Sequence, residues 1–98
     1  VRDVPEYHVI REGMKYTGKL TQGKFSTLAS GLKRILGKGS SMETKFGLRV
    51  STETAWVLVR DSGTEPVIRV TGESKDRSEA TRVMRETLRL LRQVLKGR

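Results

Sequence analysis

The segment from Ala55 to Glu73, AWVLVRDSGTEPVIRVTGE, carries the clearest structural pattern in this sequence. Two apolar runs rich in β-branched residues, Trp56 to Val59 and Val67 to Val70, flank its centre. Runs of this kind favour β-strands. Small and polar residues separate them, so we predict an antiparallel hairpin with residues 60–66 at its tip.

The tip of this hairpin carries groups suited to binding phosphate. Arg60 supplies a guanidinium, Ser62 and Thr64 supply hydroxyls, and Gly63 lets backbone N–H groups turn inward as an anion nest. Arg69 follows on the returning strand, where it can face Arg60 across the loop mouth. Two cations with no evident carboxylate between them favour an anionic ligand, and phosphate is the natural candidate.

Two other interpretations of the loop are weaker. A plain hairpin turn with surface arginines would not explain the spacing of the hydroxyl, glycine and guanidinium groups. A nucleophile elbow is also disfavoured, because Asp61-Ser62-Gly63 departs from the G-x-S-x-G pattern and the single histidine, His8, is distant in the sequence. Paired carboxylates for acid–base chemistry are absent from the loop.

The string Arg60-x-Ser62-Gly63-Thr64-Glu65-Pro66-x-x-Arg69 resembles the phosphate-binding loop in the fourth, C-terminal domain of the α-D-phosphohexomutases, with seven fixed positions in ten. This family includes phosphoglucomutase, phosphomannomutase and phosphoglucosamine mutase. The resemblance extends more loosely over the chain, from a Pro5-x-Tyr7 segment like the interdomain linker to the closing helix. Asp61 departs from the proline that is frequent in the family, and we expect its side chain to point away from the site.

The resemblance implies that five residues hold the substrate phosphate that is not transferred: Arg60, Ser62, Gly63 through its backbone, Thr64 and Arg69. Glu65 and Pro66 are expected to support the loop, with the Glu65 carboxylate bracing the turn or pairing with Arg60 or Arg69. The catalytic serine, the magnesium loop and the sugar-reading loop of the family belong to the three preceding domains. We therefore expect no catalytic residue, no cofactor and no metal site in this chain, with magnesium bound by another domain of the full-length enzyme.

The function implied is that of one domain of an intramolecular phosphotransferase that interconverts hexose 1-phosphate and hexose 6-phosphate. The expected partners are a hexose phosphate or bisphosphate and the other domains of the same enzyme. On this interpretation residues 1–6 are an interdomain linker and residues 7–98 form the phosphate-binding domain. A cytoplasmic location is expected.

Composition sets broader limits. Apolar residues make up 35% of the 98-residue chain, enough for one small core. The absence of cysteine excludes disulfides and thiolate metal sites, and the absence of a long apolar run predicts no membrane partner. The net charge of +9 attracts sugar phosphates, nucleic acids and acidic surfaces alike, so charge alone selects none of them.

The remaining elements follow from periodicity. Apolar residues spaced by three and four predict a helix from Lys24 to Leu36 that ends at Gly37. Strict alternation predicts one strand within Met42 to Ser51. The segments Tyr7 to Ile10 and Met14 to Leu20 have mixed polarity and favour a broken edge strand.

A second helix is predicted from Ser74 to Gln93, with Asp76 as N-cap and Glu79 completing a capping box. Together these elements predict an α+β domain: an antiparallel sheet of about four strands with two helices on one face, in β-α-β-β-β-α order. Trp56, the single tryptophan, is predicted to pack in the core or on the sheet face rather than to stack on a sugar.

The second helix also carries a basic stripe on its outer face: Arg82, Arg85, Arg89, Arg92 and Lys96. A solvated face is the simplest interpretation. The alternative is contact with an acidic surface or with the backbone of nucleic acid, which gives a basic nucleic-acid-binding module as the second candidate function. No aromatic residues accompany the stripe, so it offers no stacking platform for single strands, although contact of the helix with a duplex backbone would not need one.

Overall fold

The computed structural model describes residues 7–16, 21–45, 47–61 and 65–96. The elements in chain order are β1 (His8–Lys15), α1 (Gln22–Leu36), β2 (Ser41–Glu43), β3 (Leu48–Ser51), β4 (Ala55–Asp61), β5 (Val67–Ser74) and α2 (Arg77–Lys96). The strands form an antiparallel sheet in the order β1-β5-β4-β3-β2. The α+β class is confirmed, and the sheet has five strands where about four were predicted.

The additional strand lies where one continuous strand was predicted. The segment from Met42 to Ser51 forms two short paired strands, β2 and β3, in which Ser41 lies opposite Ser51. Gly47 in the intervening turn has φ +124°, a backbone conformation that favours glycine. The chain therefore reverses inside the predicted strand, and the element order becomes β-α-β-β-β-β-α.

Strand β1 is continuous where a broken one was predicted. Gly13 lies inside it, opposite Arg69 of β5, and does not interrupt the pairing. The strand is at one edge of the sheet, as predicted. The predicted segment from Met14 to Leu20 extends beyond β1, and residues 17–20 lie outside the described residues, as does the proposed linker at residues 1–6.

Helix α1 has defined caps at both ends. The hydroxyl of Thr21 accepts a hydrogen bond from the Lys24 backbone N–H at 3.2 Å, satisfying one of the free N–H groups of the first turn. At the other end Gly37 donates its N–H to the Lys33 carbonyl at 2.9 Å, which confirms the predicted stop. Gly31 is unfavourable in a helix by propensity alone, but it lets Leu90 of α2 approach to 2.5 Å from the position that a Cβ would occupy.

Helix α2 begins after Asp76, whose side chain accepts a hydrogen bond from the Ser78 N–H at 3.1 Å. The predicted N-cap role of Asp76 is thus confirmed, but the reciprocal half of the capping box is not formed. The Asp76 N–H donates to the Ser74 hydroxyl at 3.0 Å. Glu79 accepts instead from the hydroxyls of Ser74 at 2.6 Å and Thr54 at 3.2 Å, which joins the start of the helix to the sheet.

Both helices pack on the same face of the sheet, as predicted. Alternate strand residues such as Val57, Val59, Ile68 and Val70 are buried in one cluster with apolar residues of α1 and α2, including Leu28 and Leu91. Side chains of the intervening residues project to the other face, because successive strand residues alternate. We call this surface, which neither α1 nor α2 covers, the open face; the candidate site lies on it.

Candidate phosphate-binding site

Arg60 and Arg69 lie directly opposite each other at the end of the β4–β5 hairpin. Both are exposed, while the adjacent Val59 and Val70 are buried against the helices, so the two arginines project from the open face. Residues in such a pair have Cβ atoms about 5 Å apart, and like charges at that distance repel each other. The predicted arrangement of the two cations is therefore present, and an anion between them would relieve their repulsion.

A carboxylate also reaches this pair, because Glu65 contacts Arg69, which is one of the arrangements predicted for Glu65. Glu65 Oε1 accepts a hydrogen bond from Arg69 Nη2 at 3.0 Å, in an ion pair whose side chains are 57% and 60% exposed. Exposed pairs of this kind contribute about 0–1 kcal/mol, so this one is easily exchanged for another anion. Arg60 has no ion pair among the described residues.

The base of the loop is held by backbone hydrogen bonds. Tyr16, just after β1, donates its N–H to the Pro66 carbonyl at 2.8 Å, and Val67 donates to the Glu65 carbonyl at 2.7 Å. Three strands thus meet at the loop mouth, since β1 is joined to the segment that links β4 and β5. The other predicted site residues, Ser62, Gly63 and Thr64, lie outside the described residues, so their contribution stays a prediction.

Asp61 lies on the other side of the sheet from the two arginines. It is the last residue of β4 and pairs with Ile68, whose side chain is buried on the helix face. Because side chains alternate along a strand, Asp61 projects away from the face that carries Arg60. This agrees with the expectation that the Asp61 side chain points away from the site.

Gly47 belongs to the site, although sequence reasoning did not single it out. A Cβ added there would lie 2.8 Å from the Val59 carbonyl oxygen and 2.9 Å from Arg60 Cβ. The β2–β3 turn therefore packs directly against the strand residue that presents the guanidinium. Gly47 lies within an alternating run in the sequence, which gave no signal for this contact.

Trp56 lies on the open face but near the opposite end of β4. Its indole N–H donates to Glu73 at 3.0 Å, and the Arg49 guanidinium lies 4.6 Å from the ring centroid. Arg60 is four positions further along β4, about 13 Å away. The prediction that Trp56 packs on the sheet face is confirmed, and its indole lies too far from Arg60 to contact the anion site.

The basic stripe of α2 is confirmed as one outer surface, but its first member differs from the rest. Arg82 donates to the Ile35 carbonyl and to Glu86, each at 3.4 Å, so it bridges the end of α1 and its own helix. The other four, which we call the α2 row, are exposed and have no ion pair among the described residues: Arg85, Arg89, Arg92 and Lys96.

Two further observations bear on function. In the described part of the chain, no three His, Cys, Asp or Glu residues are grouped so that they could hold a metal ion. Within the same residues, neither α1 nor α2 combines the length and apolar character needed to cross a bilayer.

Comparison with known proteins gives a consistent result. The family model described as phosphoglucomutase/phosphomannomutase, C-terminal domain, matches residues 18–90. A probable phosphoglucosamine mutase of Methanocella arvoryzae is 34% identical over 84 residues, covering 85% of this chain and 18% of that protein. A phosphoglucomutase/phosphomannomutase of Thermococcus kodakarensis is 31% identical over 99 residues, covering 99% of this chain and 20% of the relative.

Among solved structures, a phosphoglucomutase/phosphomannomutase family protein of Burkholderia thailandensis superposes with a TM-score of 0.60. The match covers 95% of this chain and 19% of that one at 21% identity, and at that identity it shows a shared fold alone. The chain spans about a fifth of the length of the curated relatives it matches.

Proposed function

Because this chain belongs to the phosphoglucomutase/phosphomannomutase family and matches the C-terminal domain of that family, we propose that it holds the non-transferring phosphate of a hexose phosphate. The observation that supports the proposal is the placement of Arg60 opposite Arg69 at the mouth of the loop. Two exposed guanidinium groups on adjacent strands form a clamp suited to a phosphate dianion. Ser62, Gly63 and Thr64 lie outside the described residues, and the resemblance of the loop implies that their hydroxyl and backbone groups complete the clamp.

The proposed role is binding rather than chemistry. The transferring serine, the magnesium ion and the residues that read the sugar are supplied by the other domains of a phosphohexomutase. The relatives are named phosphoglucosamine mutase and phosphoglucomutase/phosphomannomutase, so we propose an aldohexose or amino-sugar phosphate as the substrate class. Holding one phosphate fixed positions the other end of the sugar for transfer.

The expected affinity of the separate chain is modest. Four or five charge-assisted contacts contribute about 1.5 to 3 kcal/mol each before costs. Desolvating a dianion and fixing it on a half-open surface offset most of that gain. We therefore expect a Kd of about 1 mM, equivalent to about 4 kcal/mol.

The test is an amide NMR titration of the chain with glucose 1,6-bisphosphate, repeated with a short DNA duplex at the same ionic strength. Shifts should concentrate at residues 60–69 with the sugar phosphate. Arg60→Ala and Arg69→Ala should each weaken binding by about tenfold or more. Arg11→Ala is the matched control, because Arg11 is also exposed on the open face but pairs with Thr71, two residues further along β5.

Two results would exclude the proposal. One is the absence of any shift with sugar phosphate up to tens of millimolar. The other is an equal loss of binding in Arg11→Ala, which would mean that net charge rather than the clamp attracts the ligand. Stronger shifts with DNA, centred on the basic stripe of α2, would instead favour the nucleic-acid-binding function.

A further inference from the structure

Strand β1 has a free edge beside a groove with basic and apolar walls. It pairs with β5 on one side, and no described strand pairs with its other side. The groove has a volume of about 290 Å³ and lies between β1 and α2. Ile10, Met84 and Leu88 supply its apolar surface, and Arg85 and Arg92 of the α2 row lie along it.

We propose that this edge and groove bind an extended acidic segment of a partner protein, which adds as a sixth strand beside β1. The proposal concerns a surface separate from the phosphate clamp and does not depend on the proposed function. A row of unpaired backbone N–H and C=O groups is matched by another polypeptide backbone. An added strand would lie about 4.8 Å beyond β1, against the flank of α2.

The spacing of Arg85 and Arg92 predicts where acidic and apolar residues lie in the partner segment. Arg92 is seven positions after Arg85, about 10 Å along the helix. Residues i and i+4 of a strand are about 13 Å apart and share one face, with residue i+2 between them. Carboxylates at i and i+4 would thus reach the two arginines, and an apolar residue at i+2 would contact Leu88 and Ile10.

The opposite side of the added strand would find apolar contact as well. Of the three large apolar side chains that are exposed among the described residues, two lie at this edge: Tyr7 at 45% and Val9 at 41%. Val9 is on the open-face side of β1, because it alternates with Ile10, and Tyr7 comes directly before the strand. A strand that pairs here would therefore cover apolar surface on both faces of the sheet.

Charge distinguishes the acidic segment from other occupants. The α2 row has no ion pairs among the described residues, and the two acids of α2, Glu79 and Glu86, are occupied by other contacts. A second copy of this chain would bring two cationic edges together at a net charge of +9 each. A nucleic acid has no backbone amides to pair with β1 and no need of the apolar groove.

Glu12 is a carboxylate on the groove wall, and its removal tests whether the partner segment is negatively charged. It opposes an incoming acid, so its removal should tighten binding. The probe is a short capped threonine-rich peptide that contains Glu-Thr-Leu-Thr-Glu, titrated into the labelled chain and followed by amide NMR. Comparison peptides replace either both glutamates with glutamine or the leucine with threonine.

We expect shifts along β1 and from Thr81 to Arg92 with the first peptide. Either replacement peptide should bind at least about fivefold more weakly. The double change Arg85→Glu with Arg92→Glu should weaken binding of the acidic peptide by at least about tenfold. Lys33→Glu with Arg34→Glu makes the same charge change on exposed residues of α1 and should weaken binding by less than about threefold. Glu12→Gln should strengthen binding by about twofold.

Four outcomes would overturn the proposal: no shifts at several millimolar peptide, equal binding of the glutamine peptide, shifts confined to residues 60–69, or tighter binding of a short DNA duplex through the α2 row. The peptide comparisons use the unaltered chain, so they remain decisive even if a charge-reversed variant fails to fold. Titration with glucose 1,6-bisphosphate reports separately on the phosphate clamp.

Discussion

Gly47 packs against Arg60 so closely that an added Cβ would lie 2.9 Å from Arg60 Cβ and 2.8 Å from the Val59 carbonyl oxygen. The turn that carries Gly47 joins β2 to β3, and Arg60 lies near the end of β4. The position of the proposed clamp therefore depends on a turn that has no predicted phosphate contact of its own.

Gly47→Ala should destabilise the domain and weaken phosphate binding together. The positive φ of +124° costs a side-chain-bearing residue about 1–2 kcal/mol, and the collision with the Val59 carbonyl adds to this. We expect a total loss of roughly 2–4 kcal/mol in the free energy of unfolding by urea. Displacement of β4 should also weaken glucose 1,6-bisphosphate binding by about threefold or more.

Gly39→Ala provides the matched control for this substitution. Gly39 has φ +83°, but a Cβ there would have no neighbour within 4 Å. It should therefore show the conformational cost of about 1–2 kcal/mol without a change in phosphate affinity. Equal losses of stability in the two variants would show that the contact with Arg60 has no energetic effect.

Glu65→Gln should strengthen phosphate binding by the separate chain by about threefold. Glu65 pairs with Arg69 at 3.0 Å, so its negative charge opposes a dianion in the same place. The amide retains a hydrogen-bond acceptor for the guanidinium but removes the charge. The Kd from amide titration checks this expectation; a weaker Kd in the variant would mean that the carboxylate positions Arg69 productively.

Thr87→Val should stabilise the domain. The Thr87 side chain is fully buried in α2, and within the described residues its hydroxyl has no hydrogen-bond partner. Valine has nearly the same shape and removes the desolvated hydroxyl, which should raise the free energy of unfolding by about 1 kcal/mol. Thr81→Val, at an exposed position of the same helix, should change it by less than about 0.5 kcal/mol. A loss of stability in Thr87→Val would indicate that this hydroxyl is hydrogen-bonded in solution.

Ser74→Ala should destabilise the junction between β5 and α2. The buried Ser74 hydroxyl donates to Glu79 at 2.6 Å and accepts from the Asp76 N–H at 3.0 Å. Its removal leaves a partly buried carboxylate and a helix-start N–H short of partners, at a cost of about 1–3 kcal/mol in thermal or urea unfolding. Ser78→Ala, exposed in the first turn, should cost clearly less, and similar effects from the two would contradict the importance of this network.

The sequence predicted those parts of the fold that depend on local patterns. Apolar spacing located α1, because that periodicity reflects one buried face. Two apolar runs rich in β-branched residues located the β4–β5 hairpin. The reversal at Gly47 was not predicted, since the alternation of Leu48 and Val50 continues the pattern of the preceding residues through the turn. Strand β1 was predicted as broken, because Gly13 suggests an interruption that pairing with β5 overrides.

The site shows the same division. The opposition of Arg60 and Arg69 follows from a hairpin of this length and was predicted. The sequence left open whether Glu65 pairs with Arg60 or with Arg69, because it is close to both, and the backbone path of the loop base selects Arg69. Contacts between distant segments, such as the Tyr16 N–H with the Pro66 carbonyl, have no local sequence signal.

The separation of the two sheet faces has an evolutionary consequence. Along β4 and β5 the residues that stabilise the core and the residues on the open face alternate, so that Val59 precedes Arg60 and Arg69 precedes Val70. A substitution at an open-face position changes ligand contacts while leaving the buried cluster intact. Selection can therefore alter what this surface binds one residue at a time, without passing through unfolded intermediates.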